Sequence, residues 1–163
     1  MHSSYFVLIP KDNAKDSLEA RETAIQTLEN EQFFNNDGGY FSCGKADWGV
    51  VGGRWTGILA NLDVEINDNE AKNYRSTYLN EGYEEDAMIL SQEILDILAT
   101  DNPAMDFNPE TKKFDLETGK TYNYLDTEVF DAEAPDEFTV KDLIENKKDY
   151  LGKYWIVVID YHN

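Results

Sequence analysis

Basic side chains are scarce in this chain, and so are cysteine and histidine. Its 163 residues include 14 lysines and arginines against 33 aspartates and glutamates, which gives a net charge of −19. The single cysteine, Cys43, cannot form an internal disulfide, and this fits a reducing compartment. We expect Cys43 to be a small buried hydrophobe, since no serine or cysteine arrangement typical of a catalytic nucleophile is recognisable.

Long apolar runs are also absent. The longest, residues 5–9 and 154–159, are far shorter than the roughly 20 residues that a membrane-spanning helix needs. No basic region precedes the first run, and the charged segment 11–16 follows it, so the sequence predicts no signal peptide. We therefore expect a cytoplasmic protein with no membrane partner.

The chain is nevertheless rich enough in apolar residues to fold. Hydrophobic residues make up 41% of it, and the aromatic residues are spread along its whole length. A chain of this size and composition can bury one ordinary core. The sequence thus predicts a single α+β domain over residues 1–163.

The acidic excess is concentrated between residues 84 and 137, which hold 16 acids and three lysines. Such a field repels phosphate backbones, so we expect no direct binding of nucleic acid and favour a basic protein surface as the partner. Solubility is the alternative role for the charge. Six acids in the segment 126–137, which reads as an exposed loop, are the predicted partner-binding residues: Asp126, Glu128, Asp131, Glu133, Asp136 and Glu137.

Two apolar segments predict the centre of the sheet. Residues 5–9 and 153–161 are β-rich, and residues 5–9 and 154–159 are apolar on both faces, which is typical of strands that are covered on both sides. We expect them to be neighbours in a single, mainly antiparallel sheet. Helices over about residues 14–31 and 84–100 are predicted to pack on that sheet.

The two helices are predicted from apolar periodicity and capping residues. The first would be capped by Asp12 or Asn13. It would bury a stripe of Leu18, Ala24, Ile25 and Leu28. The second would bury one face made of Ala87, Leu90, Ile94, Ile97 and Leu98.

Turn signals predict the remaining elements. Gly52 and Gly53 lie between two β-prone runs and could form the turn of a hairpin. A second hairpin is predicted from residues 112–116 and 121–125, and short strands are expected at 40–43 and 62–66. Thr139 and Asp142 have the spacing of a capping box for a helix that reaches about residue 150.

Three residues are candidates for chemistry. Arg54 could pair with an internal acid, Asp47 or Asp160, or it could bind a carboxylate or phosphate. Asp160 and His162 are two apart on the last strand, so their side chains share a face, either for acid–base work or as a satisfied polar pair.

Neither a metal site nor a cofactor is predicted. His2 is assigned to a mobile terminus, which leaves no second histidine in the domain to complete a metal centre. The glycines at 52 and 53 lack the spacing of a nucleotide-binding loop.

Residues 6–10, 47–57 and 155–162 together resemble an uncharacterised family of small bacterial and phage proteins. The resemblance depends on the initial strand, the central Gly-Gly-Arg-Trp and the Asp-x-His near the end. It covers about a quarter of the chain, and it implies a domain type and no particular reaction.

Two functions remain open from the sequence. The first is an accessory factor, encoded by a phage or mobile element, whose acidic surface occupies a nucleic-acid-handling site on a host protein. The second is a small enzyme or anion-binding domain that uses Arg54, Asp160 and His162.

Overall fold

Among the residues that the structure describes, the fold has a six-stranded sheet, a separate two-stranded sheet and three α-helices. A computed structural model describes residues 2–34, 44–60, 82–108 and 113–163. The strands are β1 (His2–Pro10), β2 (Trp48–Val51), β3 (Ala87–Ile89), β4 (Asn102–Asn108), β5 (Lys113–Tyr122), β6 (Glu128–Asp131), β7 (Asp136–Thr139) and β8 (Tyr154–His162). The helices are α1 (Ser17–Asn30), α2 (Gln92–Ala99) and α3 (Val140–Glu145).

The first and last strands form the centre of the main sheet, as the sequence predicts. The strand order is β2-β8-β1-β6-β7, and β3 also pairs with β8. β1 and β8 are antiparallel from the pair His2–His162 to the pair Pro10–Tyr154. Only β1 and β6 are parallel among the described strand pairs. The prediction of a mainly antiparallel α+β fold is therefore confirmed.

Helices cover both faces of this sheet. α1 packs on the face that carries Tyr5 and Val7, whereas α2 and α3 pack on the face that carries Phe6 and Leu8. Alternate side chains of a strand point to opposite faces, so every position of β1 from Tyr5 to Ile9 is buried. The double covering explains why the two central strands are apolar without alternation.

α1 begins later than the sequence predicts. A 3-10 turn occupies Lys11–Asn13, and the helix is capped by Asp16, whose Oδ1 accepts a hydrogen bond of 2.9 Å from the Glu19 amide. The predicted caps Asp12 and Asn13 are therefore wrong, because the chain is extended at Ala14 before the helix starts. Leu18 is also wrong as a core residue, because its side chain is 44% exposed.

The predicted helix over 84–100 is correct only in its second half. Glu84–Asp86 is a 3-10 turn and Ala87–Ile89 is strand β3, which pairs with the edge of β8. Ser91 then caps α2 by accepting a hydrogen bond from the Ile94 amide. The apolar run before Ser91 satisfies its main-chain groups on β8, and this pairing outweighs its helical periodicity.

Two predicted turns have other structures. β5 is continuous and pairs with β4, so the hairpin predicted within residues 112–125 is wrong. The residues between 116 and 121, which the sequence predicts as the turn, lie where the register of β4 and β5 shifts. The shift falls between the pairs Pro103–Thr121 and Met105–Leu116, and these residues form a bulge there. The loop predicted at 126–137 contains β6, which pairs with β1, and the start of β7.

The capping box is confirmed. Thr139 Oγ1 accepts from the Asp142 amide at 3.3 Å, and Asp142 Oδ2 accepts from the Thr139 amide at 3.0 Å. The short strands predicted at 40–43 and 62–66 lie outside the described residues. Within the described ranges, no helix has the length and apolarity needed to cross a bilayer.

Candidate functional site

The two glycines between β-prone runs do not form a hairpin turn. β2 ends at Val51 and pairs with β8, and Gly53–Trp55 forms a 3-10 turn. Gly52 and Gly53 have φ angles of 75° and 55°, a conformation that side chains other than glycine rarely adopt. The chain is thereby directed over the end of β8 instead of back along β2.

Close contacts with two buried carboxylates also require these glycines. A Cβ atom on Gly53 would lie 2.2 Å from the Cβ of Asp160. A Cβ atom on Gly52 would lie 2.3 Å from Oδ2 of Asp86. The Gly-Gly pair is thus explained by main chain that packs directly on Asp86 and Asp160.

Asp86, which the sequence analysis did not single out, organises the segment after the glycines. It is fully buried and accepts hydrogen bonds from Thr56 Oγ1 at 2.5 Å, the Tyr83 amide at 2.8 Å and the Gly57 amide at 2.9 Å. Burial raises the pKa of Asp86 in spite of these three donors. The sequence signal for its burial is its position just before the apolar run 87–90.

Arg21 is the buried arginine of this region. On α1, its Nε donates to the Ser17 carbonyl at 3.2 Å, and its Nη1 donates to the Gly82 carbonyl at 2.9 Å. Its positive charge opposes the effect of burial on the pKa of Asp86. A buried cation therefore ties α1 to the segment that leads into Asp86.

Arg54 contacts one of its two predicted partners, but through the main chain. The Arg54 amide donates to Asp160 Oδ2 at 2.9 Å, whereas the Arg54 side chain is exposed. Asp47, the other predicted partner, accepts from His162 instead. The contact between Arg54 and Asp160 is therefore a main-chain one, and the pairing of the Arg54 guanidinium stays a prediction.

Asp160 and His162 lie close together at the end of β8, but each has another partner. Asp160 Oδ1 lies 2.9 Å from His2 Nδ1, and His162 Nδ1 lies 2.9 Å from Asp47 Oδ1. The assignment of His2 to a mobile terminus is wrong, because His2 belongs to β1 and pairs directly with His162. Two imidazole–carboxylate pairs thus lie side by side.

Trp48 completes this corner of the sheet. Its ring is stacked on His162, with centroids 5.3 Å apart and an interplanar angle of 4°. The His2 ring meets both of the other rings edge-on, also at 5.3 Å. The hydrogen bond from His162 lowers the pKa of Asp47. We call this group of His2, Asp47, Trp48, Asp160 and His162 the histidine corner.

The six predicted partner-binding acids have three different environments. Asp131 is buried and accepts from the Glu133 amide at 3.0 Å, and burial raises its pKa. Glu128 and Glu137 both form ion pairs with Lys45. The remaining three are exposed: Asp126, Glu133 and Asp136.

Lys45 is held firmly between its two carboxylates. Burial by itself would lower the pKa of Lys45, but the hydrogen bonds to Glu128 and Glu137 outweigh this and raise it. Tyr5 also donates to Glu137 Oε2 at 2.6 Å. Glu128 and Glu137 therefore have a structural role, and the prediction that they lie on an exposed loop is wrong, because they belong to β6 and β7.

A second group of exposed acids lies around α2. Asp96 is exposed on the helix, and Asp101 follows its end. Asn123 donates to Asp101 at 2.7 Å, and the Tyr124 amide donates to the Leu98 carbonyl, so the turn that carries Asp126 is fixed against the end of α2. We call Asp96, Asp101 and Asp126 the α2 acidic surface.

No cluster of three or more histidine, cysteine, aspartate or glutamate side chains within the described residues is arranged to bind a metal ion. In comparisons with known proteins, no family model matches the chain, and neither a curated protein nor a solved structure shows significant similarity to it. The resemblance of residues 47–57 and the two terminal strands to a bacterial and phage family therefore stays a prediction.

Proposed function

We propose that this protein is an acidic accessory factor that binds a basic, nucleic-acid-handling surface of another protein. The observation that carries the proposal is that, among the residues the structure describes, the α2 acidic surface takes part in no ion pair. Among the described residues, the lysine–carboxylate ion pairs are those of Lys45 with Glu128 and Glu137. Asp96, Asp101 and Asp126 are exposed and belong to none of them.

The charge around these residues is of one sign over a long stretch. From residue 76 to residue 111 the sequence contains no lysine or arginine, and a second such stretch runs from 121 to 140. These stretches include α2 and the Asp126 turn. A surplus of fixed negative charge attracts a basic surface and speeds its association.

The kind of partner follows from the kind of charge. Rigid carboxylates on a folded surface present negative charges in fixed positions, as the phosphates of a nucleic acid do. A protein that binds nucleic acid through lysines and arginines could therefore bind this surface instead. The sequence resemblance to phage proteins favours a bacterial host protein, with defence proteins as the expected class.

The experiment compares two variants of equal net charge. One replaces the α2 acidic surface: Asp96→Asn, Asp101→Asn and Asp126→Asn. The matched control neutralises three exposed acids on or before α1, on the opposite face of the sheet: Asp12→Asn, Glu22→Gln and Glu29→Gln. Because both variants lose three charges, any difference between them reports on location and not on total charge.

The partner is first captured at low salt from a lysate of cells that carry the gene, and it is eluted with duplex DNA. Its association rate is then measured with each purified variant. We expect the α2 variant to associate at least about tenfold more slowly and the control to keep the wild-type rate. Added salt should slow the wild type, since such attraction is screened over about 8 Å at physiological ionic strength. Equal rates for the two variants, or no partner that DNA displaces, would contradict the proposal.

A second candidate function is acid–base catalysis on an anionic substrate, favoured by the buried Asp160 carboxylate that orients His2. In this alternative His2 moves the proton, Asp160 positions it, and the exposed Arg54 binds the anion. His2→Asn would then abolish the biological effect and leave partner association unchanged. The α2 variant would do the reverse.

A further inference from the structure

The two histidines of the histidine corner are in the same tautomeric form. A carboxylate can only accept hydrogen bonds, so the contacts with Asp160 and Asp47 place a hydrogen on Nδ1 of His2 and of His162. In the neutral imidazole this leaves the lone pair on Nε2. Within residues 2–34, 44–60, 82–108 and 113–163, neither Nε2 has a hydrogen-bond partner. Both rings are therefore set to act as ligands through the same atom.

The spacing of the rings suits one shared ion. Zinc lies about 2.1 Å from a histidine nitrogen, and the ring centre lies about 1.1 Å beyond it, so two imidazoles on a tetrahedral ion have centroids roughly 5 Å apart. The centroids of His2 and His162 are 5.3 Å apart, with the rings inclined at 73°. Because β1 and β8 pair directly at these two residues, the main chain fixes this spacing.

We propose that His2 and His162 bind a divalent transition-metal ion, Zn²⁺, Ni²⁺ or Cu²⁺, through their Nε2 atoms. Water occupies the remaining coordination positions. Imidazole nitrogen favours these ions over Mg²⁺ and Ca²⁺, which prefer oxygen. Asp160 and Asp47 then have the role that carboxylates commonly have behind metal-bound histidines, namely to fix the ring and increase its basicity.

The site is open enough for an ion to enter. The side chain of His162 is 34% exposed and that of His2 is 14% exposed. The ring of Trp48, at 5.3 Å from both imidazoles, reports on its occupancy, because bound Ni²⁺ or Cu²⁺ quenches a nearby indole. The inference is independent of the proposed partner binding, since the α2 acidic surface contributes no residue to it.

The test titrates the full chain with Ni²⁺ and with Zn²⁺ by calorimetry and tryptophan fluorescence. A large excess of Mg²⁺ is present throughout, so that it competes for the many carboxylates and the response comes mainly from ligands other than oxygen. We expect one ion per chain, quenching by Ni²⁺, and no quenching in Trp48→Phe, which should still bind the ion by calorimetry. His2→Asn and His162→Asn should each weaken binding at least about tenfold.

The controls separate ligation from folding and from charge. Asp47→Asn changes an exposed residue that only orients His162, and we expect about tenfold weaker binding with an unchanged melting temperature. The Asp12→Asn, Glu22→Gln, Glu29→Gln variant should bind as the wild type does. The proposal is overturned if His2→Asn, His162→Asn and Asp47→Asn all retain wild-type affinity, or if excess Mg²⁺ abolishes binding to the wild type.

Discussion

Gly53 and Asp160 are in direct contact: a Cβ atom added to Gly53 would lie 2.2 Å from the Asp160 Cβ and 2.3 Å from its Oδ2. The contact brings the Arg54 amide within 2.9 Å of the same carboxylate. Gly53 thus packs on one side of Asp160, and His2 forms a hydrogen bond with its carboxylate on the other side. Glycine is therefore required at position 53 for two reasons: the main chain packs closely on Asp160, and its φ is positive.

The first prediction separates those two requirements with a pair of variants. Gly53→Ala and Gly152→Ala both place a side chain at a positive φ, 55° and 72° respectively, which costs roughly 1–2 kcal/mol. In Gly53→Ala the new methyl group also clashes with the buried Asp160. In Gly152→Ala it does not, because nothing lies within 4 Å of a Cβ on Gly152. We expect Gly53→Ala to lose about 1–3 kcal/mol more of the unfolding free energy in urea. Equal losses for the two variants would show that only the φ angle matters.

The second prediction concerns the pH dependence of Asp86. Its pKa is raised in the folded protein, so its contribution to stability is fully present below the ordinary value of 3.8 and is lost as the pH rises through the folded value. Asp86→Asn cannot titrate. The difference in unfolding free energy between the wild type and Asp86→Asn should therefore shrink as the pH rises from acidic to neutral, as measured by denaturation at several pH values.

One further variant separates the Asp86 titration from its hydrogen bond to Thr56. Thr56→Val removes the 2.5 Å hydrogen bond to Asp86 and keeps the carboxyl group. It should cost about 1.5–3 kcal/mol, the usual range for a hydrogen bond to a charged group, and leave the Asp86 titration in place. A difference between the wild type and Asp86→Asn that does not change with pH would contradict the raised pKa.

The third prediction compares two adjacent acids of β7. Glu137 accepts from Tyr5 at 2.6 Å and from Lys45 at 2.7 Å, whereas Asp136 is exposed. Glu137→Gln should lower the unfolding free energy by about 1.5–3 kcal/mol, because it weakens hydrogen bonds to a charged acceptor. Asp136→Asn should change it by less than about 0.5 kcal/mol. If thermal or urea denaturation does not distinguish the two, then Glu137 is a solvated surface acid.

The centre of the sheet could be predicted from the sequence because the apolar pattern that identifies each central strand lies within that strand. Residues 5–9 and 154–159 are apolar at every position, and only strands covered on both faces require this. The capping box of Thr139 and Asp142 could be predicted for a similar reason, because its two hydrogen bonds join residues three apart. In each case a short segment contains the whole explanation.

The candidate sites could not be predicted in the same way, because their partners are far apart in the chain. Asp160 and His162 do share a face, but nothing local indicates that residue 2 or residue 47 supplies their partners. The same is true of Lys45 and Glu137, which are 92 residues apart. The prediction of a helix for the segment 84–90 is wrong for another reason. The apolar spacing of this segment fits a helix as well as a strand, and only its pairing with β8 selects the strand.

β8 is the last strand of the chain, and it pairs with β1, β2 and β3. Its contact with β1 spans 158 residues at the His2–Asp160 pair. The loop that must close before these strands meet includes nearly the whole chain, and such long-range pairing makes folding slow. A nascent chain that has not yet produced β8 leaves the edges of three strands open, and open edges are the surfaces through which chains aggregate. The edges of these strands can therefore be covered only after the ribosome has synthesised β8.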